Sequence, residues 1–200
     1  MLNFIGAVLF LIITPGPGVM SVAGVGSAFG RAAGMRYLWG LFLGNNIVMA
    51  AVISGLAGLI LAEPRIRFVL FVASTLYLLY LAMKVAFAGS KIGFVRAEVA
   101  PGFWNGVTLQ FINPKAYAVN TYFFSAFTIA GMGFAAETLA KLIAINVVWI
   151  PIHLFWLWLG IRLNELHLPP GRQRILNFAM SASMLIAVAL AVFSAIGGTS

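Results

Sequence analysis

Apolar residues run in long blocks that are interrupted only at charged positions, and these blocks set the expected elements. Residues 1–30, 37–62, 116–136, 142–161 and 175–200 contain no Asp, Glu, Lys or Arg. Each block is long enough for a bilayer-spanning helix, which needs about 20 residues. Residues 68–83 form a shorter sixth stretch between Arg67 and Lys84, whose long stems can carry their charges outward to the headgroups. The pattern predicts six transmembrane helices, at roughly 2–29, 37–61, 67–87, 103–130, 138–162 and 174–197. The expected fold class is all-α integral membrane. The first block has no basic residues ahead of it and carries Pro15 and Pro17 at its middle, so it reads as a retained span and not a cleaved signal.

Composition agrees with the pattern and removes the soluble alternatives. Hydrophobic residues make up 62% of the 200 positions and charged residues 8%, where a soluble domain needs about 25% charged. Mean hydropathy is +1.05. The lipid bilayer is therefore the main partner expected. The chain has no cysteine, which excludes disulfide scaffolds, thiol nucleophiles, iron–sulfur clusters and thiolate zinc sites. No HExxH string and no paired carboxylates occur in or near the spans, so neither an enzyme nor a metal or cofactor site is expected.

The net charge of +8 would point to nucleic acid on a soluble protein. Here the basic residues are scattered between apolar runs and read as topology signals. The connections after predicted helices 1, 3 and 5 hold Arg31, Arg36, Lys84, Lys91, Arg96, Arg162, Arg172 and Arg174. Those after helices 2 and 4 hold Arg65, Arg67 and Lys141. The positive-inside rule then puts both termini outside, which is periplasmic for a bacterial inner-membrane protein.

Two spans carry matched interruptions. Thr14, Pro15, Gly16 and Pro17 break the first, and Asn113, Pro114 and Lys115 break the fourth, about half the chain later. Asn45 in the second predicted helix and Asn146 in the fifth have nearly the same offset. The expected organisation is one membrane domain made of two inverted three-helix repeats, about 1–100 and 101–200, with helices 1 and 4 broken. Proline removes a backbone donor. The freed backbone groups are tolerated only where they are buried in protein or line a wet cavity. Broken helices at matching places in inverted halves therefore mark a transporter's binding region, although each break alone is also explained by a simple proline kink. Gly26, Gly30 and Gly34 are spaced by four, as are Gly40 and Gly44, which suits close helix packing.

Lys115 is the one charge placed well inside a span. It reads either as a carboxylate-binding site or as a side chain snorkelling to the cytoplasmic headgroups. The amides Asn45, Asn46, Gln110, Asn120 and Asn146 suit either solute binding or helix–helix bonding. Asn45 and Gln110 are the best placed for a solute. His153, two residues after Pro151, is the proton-coupling candidate, set against a purely structural hydrogen-bonded role. Trp39, Trp104 and Trp149 are expected near span ends as interfacial belt residues.

The strings Thr14-Pro15-Gly16-Pro17, Tyr77-Leu78-Leu79-Tyr80-Leu81 and Asn113-Pro114-Lys115-Ala116 resemble motifs of the LysE/RhtB amino-acid exporter superfamily over essentially the whole chain. The run Leu109-Gln110-Phe111-Ile112-Asn113 is similar to the branch exporting cysteine and O-acetylserine. The resemblance implies a bacterial inner-membrane exporter of amino acids or related metabolites, driven by the proton gradient. Family members often carry an acidic residue where this chain has Asn45, and an amide cannot relay a proton at ordinary pH. A channel-like facilitator and a non-transporting accessory subunit stay open beside the exporter.

Overall fold

A computed structural model describes residues 1–14, 16–55, 63–87, 99–129 and 131–165, together with 169, 171–172, 174–175, 177–179 and 181–182. Pro15, Lys91, Arg96, His167 and most of the expected helix 174–197 lie outside the described residues. Regular structure among the described residues is helical. The helices are α1 (Leu2–Ile13), α2 (Pro17–Ile53), α3 (Pro64–Ala86), α4 (Phe103–Ile112), α5 (Pro114–Ser125) and α6 (Phe134–Glu165). Three described stretches are long and apolar enough to cross a bilayer: Pro17–Ile53, Phe68–Ala86 and Phe134–Leu163.

Two of the three prolines expected to break a span do so by starting a new helix. Pro17 and Pro114 each occupy the first turn of theirs, where the missing N–H costs nothing. The helix pairs α1–α2 and α4–α5 are therefore interrupted at the positions expected. A third interruption is tighter than expected. Residues 31–36 are helical, where the charge pattern predicts a loop, and the chain turns at Gly30 alone (φ 73, ψ −169). That left-handed conformation suits a residue without Cβ. It divides α2 into two helical pieces, 17–29 and 31–53.

The main core joins α2, α3, α4 and α6 through Val22, Leu41, Leu81, Leu109 and Leu157. A second core joins α1, the end of α2, α5 and α6 through Phe4, Val8, Met49, Phe123 and Ile145. Large apolar side chains such as Leu2, Phe10, Trp104 and Val147 point outward, as lipid-facing residues do. Small residues set the helix spacing. A Cβ on Gly40 would lie 1.9 Å from the Phe103 carbonyl oxygen, and one on Gly160 would lie 2.1 Å from that of Ala23. Side-chain-free contact lets α2 approach α4 and α6 backbone to backbone.

Two lysines expected at span ends are buried instead. Lys84 is on α3 and donates to the Val99 carbonyl at 2.6 Å. Lys141 is two turns into α6, 2.6 Å from the Glu137 carboxylate, and also bonds the Phe124 and Phe127 carbonyls. Each satisfies its ammonium inside the protein, as a charge withdrawn from water must.

Gly40→Ala is expected to destabilise the protein by about 1–3 kcal/mol through overpacking. Gly6→Ala is expected to be neutral, because nothing lies within 4 Å of the added carbon. Denaturation of the purified protein in detergent would read the difference.

Candidate functional site

The two broken helices meet around one cavity of about 60 Å³. That volume admits several waters. Of the residues expected at a site, Thr14, Gly16, Pro17, Asn45, Gln110, Asn113 and Lys115 line it, and so does His153. Pro114 shapes the start of α5 without lining the cavity.

Lys115 connects the two breaks. Its Nζ donates to the Thr14 carbonyl at 2.9 Å, across 101 residues of sequence. Thr14 caps the C-terminus of α1, where freed carbonyls carry partial negative charge and favour a cation. Lys115 is half-buried, so it turns inward to a backbone partner and does not snorkel to the surface. Gly16 makes room for it: a Cβ there would lie 2.9 Å from Nζ and 3.0 Å from Cδ of Lys115.

Asn113 organises the second break. Its Oδ1 accepts from the Lys115 backbone N–H at 3.1 Å and caps α5. Its Nδ2 donates to Gln110 Oε1 at 3.2 Å. The N-termini of α2 and α5 both begin at the cavity, so partial positive charge accumulates there beside the Lys115 ammonium. Carbonyls at the ends of α1 and α4 supply the opposite sign. A zwitterion finds both kinds of partner within this one space.

The amides divide into two groups. Asn120 Nδ2 donates to Asn45 Oδ1 at 3.1 Å, and both residues line the cavity. Asn46 and Asn146 exchange two hydrogen bonds, at 3.2 and 3.0 Å. Asn146 stands outside the cavity lining, and its amide joins α6 to α2. The offset match of Asn45 with Asn146 therefore differs by one residue from the pair that meets. Neighbouring asparagines point to different faces of a helix, and the sequence alone does not say which one faces the partner.

His153 is buried and stacks on Trp149, with ring centroids 3.5 Å apart and an interplanar angle of 13°. Its Nδ1 is 2.9 Å from the Trp149 carbonyl. A carbonyl only accepts, so Nδ1 carries the hydrogen and Nε2 keeps a free lone pair. Nε2 faces the Gly18 side of the cavity, 3.4 Å from where a Cβ on that glycine would stand. Trp149 lines the cavity and is buried, not in an interfacial belt, whereas Trp39 and Trp104 are exposed as expected. Phe123 and Trp149 are cavity residues that sequence reasoning did not select for the site, and Asn120 was weighed only as one of five amides. Helical spacing links Phe123 to Lys115, eight residues away, and Trp149 to His153, four residues away, whereas Asn120, five residues from Lys115, falls on a different face.

The chain matches the LysE type translocator family over residues 9–195. It belongs to that family. Translocators are transporters and not enzymes, and this chain is a multi-pass membrane member. It is 28% identical over 171 residues to an uncharacterized membrane protein of Pseudomonas aeruginosa, covering 80% of this chain and 79% of that one. It is 27% identical over 189 residues to a cysteine/O-acetylserine efflux protein of Escherichia coli, covering 92% and 93%. It is 30% identical over 131 residues to a leucine efflux protein of Klebsiella pneumoniae, covering 63% and 62%. No solved structure matches the chain.

Truncating Asn46 or Asn146 to Ala leaves the other amide with its bond to a carbonyl of its own helix, Phe42 or Leu142, and removes the pairing between helices. A double-mutant cycle on the pair, read by denaturation in detergent, is expected to give a coupling of about 0.6–1.7 kcal/mol.

Proposed function

We propose that this translocator is a secondary exporter of small zwitterionic amino-acid metabolites across a bacterial inner membrane. The observation that carries the reading is the Lys115 ammonium on the Thr14 carbonyl, inside a cavity lined by both helix breaks. The solute's carboxylate replaces that carbonyl as the partner of Lys115, and the helix N-termini at Gly16 and Asn113 add to the attraction. Its ammonium takes the released Thr14 carbonyl. The leucine and cysteine/O-acetylserine efflux names of the relatives support the solute class.

The chain works as two inverted three-helix repeats with both termini in the periplasm. The reciprocal Asn46–Asn146 pair supports this, because the two residues lie 100 positions apart in a 200-residue chain. Residues equivalent under a two-fold axis touch each other only on that axis, and their contact is then reciprocal. Rocking one repeat against the other about this pair alternates access to the cavity.

Coupling runs through His153, whose free Nε2 faces the cavity. Among the described residues no acidic side chain lines the cavity, which also favours a facilitator as the second reading. Vesicle flux separates the two, since a facilitator never accumulates solute against its gradient. His153→Gln is expected to keep downhill efflux and lose proton-driven accumulation.

Lys115→Ala is expected to lower amino-acid efflux about 10- to 100-fold, the worth of one charge-assisted hydrogen bond, with membrane insertion unchanged. Lys115→Arg is expected to restore part of it. Efflux from cells overexpressing each variant, loaded with leucine, cysteine or O-acetylserine, is the measurement. Undiminished efflux by Lys115→Ala rejects the site.

A further inference from the structure

A second cavity, of about 330 Å³, lies beyond the first, among the end of α2, the end of α5 and the start of α6. The buried Lys141 and its partner Glu137 stand in its wall. Thr121 Oγ1 also lines it, and that oxygen is buried with no hydrogen-bond partner among the described residues. A buried hydroxyl without a partner calls for water or a polar solute beside it.

Three phenylalanine rings link the linings of the two cavities. Phe123 is fully buried and lines the central cavity, and Phe127 lines the second. Phe4 of α1 bridges them edge-to-face, with centroids 5.9 Å from Phe123 and 5.4 Å from Phe127. The contact lies at the far end of the α1–α5 pair from Lys115. Phe123 is eight residues along α5 from Lys115, and Phe4 is ten residues before Thr14, roughly 12 and 15 Å of helix. One antiparallel helix pair is thus held by a charged hydrogen bond at one end and by stacked ring edges at the other.

We propose that the second cavity is the outer vestibule of the export path, and that the Phe4–Phe123–Phe127 contact between α1 and the end of α5 is the gate closing it from the central cavity. This rests on the exporter reading above, including its periplasmic assignment of the connections after the second and fourth spans. A small polar solute that draws Lys115 off Thr14 removes the hydrogen bond that joins α1 to α5. The rings are then the remaining barrier. Once they part, the solute meets the hydroxyls of Thr121 and Ser125 on its way out. Lys141 does not take part in the exchange, because Glu137 and two carbonyls already hold its ammonium and fix the vestibule wall.

The absence of cysteine makes the native chain a clean background for thiol labelling. In the full-length protein in membranes, Ser125→Cys is expected to react with a membrane-impermeant methanethiosulfonate added from the periplasmic side, and the adduct to stop efflux. Val119→Cys, in the central cavity, is expected to react slowly from that side. Adding Phe127→Ala, which trims the half-buried outer ring, should raise that rate about tenfold, the scale of a lost ring-edge contact. Phe4→Ala should do the same from the α1 side. Reaction of Ser125→Cys only from the cytoplasmic face overturns the proposal, as does a Val119→Cys rate that neither ring truncation changes. The labelling pattern decides the gate even if the chain exports none of the amino acids offered, so failure of the gate and failure of the exporter reading are told apart.

Discussion

A helix interrupted inside a membrane leaves carbonyls and N–H groups that lipid cannot satisfy, and the organisation of this protein follows from where those groups go. At the first break the Thr14 carbonyl takes the Lys115 ammonium. At the second, the Asn113 side chain takes the Lys115 backbone N–H and its amide binds Gln110. Each break is completed by residues of the second half of the chain. The two breaks must therefore be adjacent, and that adjacency creates the cavity. The same polar groups line the cavity, so satisfying the fold and binding a ligand are competing uses of these atoms.

The packing around this centre keeps the rest of the membrane segment dry. Glycines at the α2–α4 and α2–α6 contacts allow backbones to touch, which leaves little volume for water to enter from the sides. Apolar residues of α2, α3, α4 and α6 form one core, and α1 packs into a second with α5 and α6. The half-helices α1 and α5 lie mainly in that smaller core. A contact surface divided this way gives the elements carrying Thr14 and Lys115 fewer partners to break when they move.

Buried charge is treated in three ways. Lys84 is tied to a backbone carbonyl and Lys141 to a carboxylate and two carbonyls. Both ammonium groups are bonded within their own neighbourhood, and that of Lys141 also meets a carboxylate. Lys115 and Lys141 each stand at a cavity. Lys141 is held by a carboxylate and two carbonyls, whereas Lys115 is half-buried with the Thr14 carbonyl as its partner. Lys84 also has a single carbonyl partner, so what sets Lys115 apart is its place where the two helix breaks meet.

Block lengths and charge spacing determined the helical membrane fold of this chain, because a span must be long and apolar to exist in lipid. Proline chemistry determined where α2 and α5 begin. The motif strings led to Thr14, Gly16, Pro17, Asn113 and Lys115, since such breaks leave a mark in sequence. Other features were decided only by tertiary contact. Gly30 turns the chain where the charge pattern predicts a loop, and Lys141 and Trp149 are buried where span-end positions were expected. Asn46, not Asn45, meets Asn146, and Asn120 and Phe123 join the cavity from a helix whose lining face depends on how it is rotated. Periodicity shows that a helix has two faces; only packing against neighbours decides which face is turned inward.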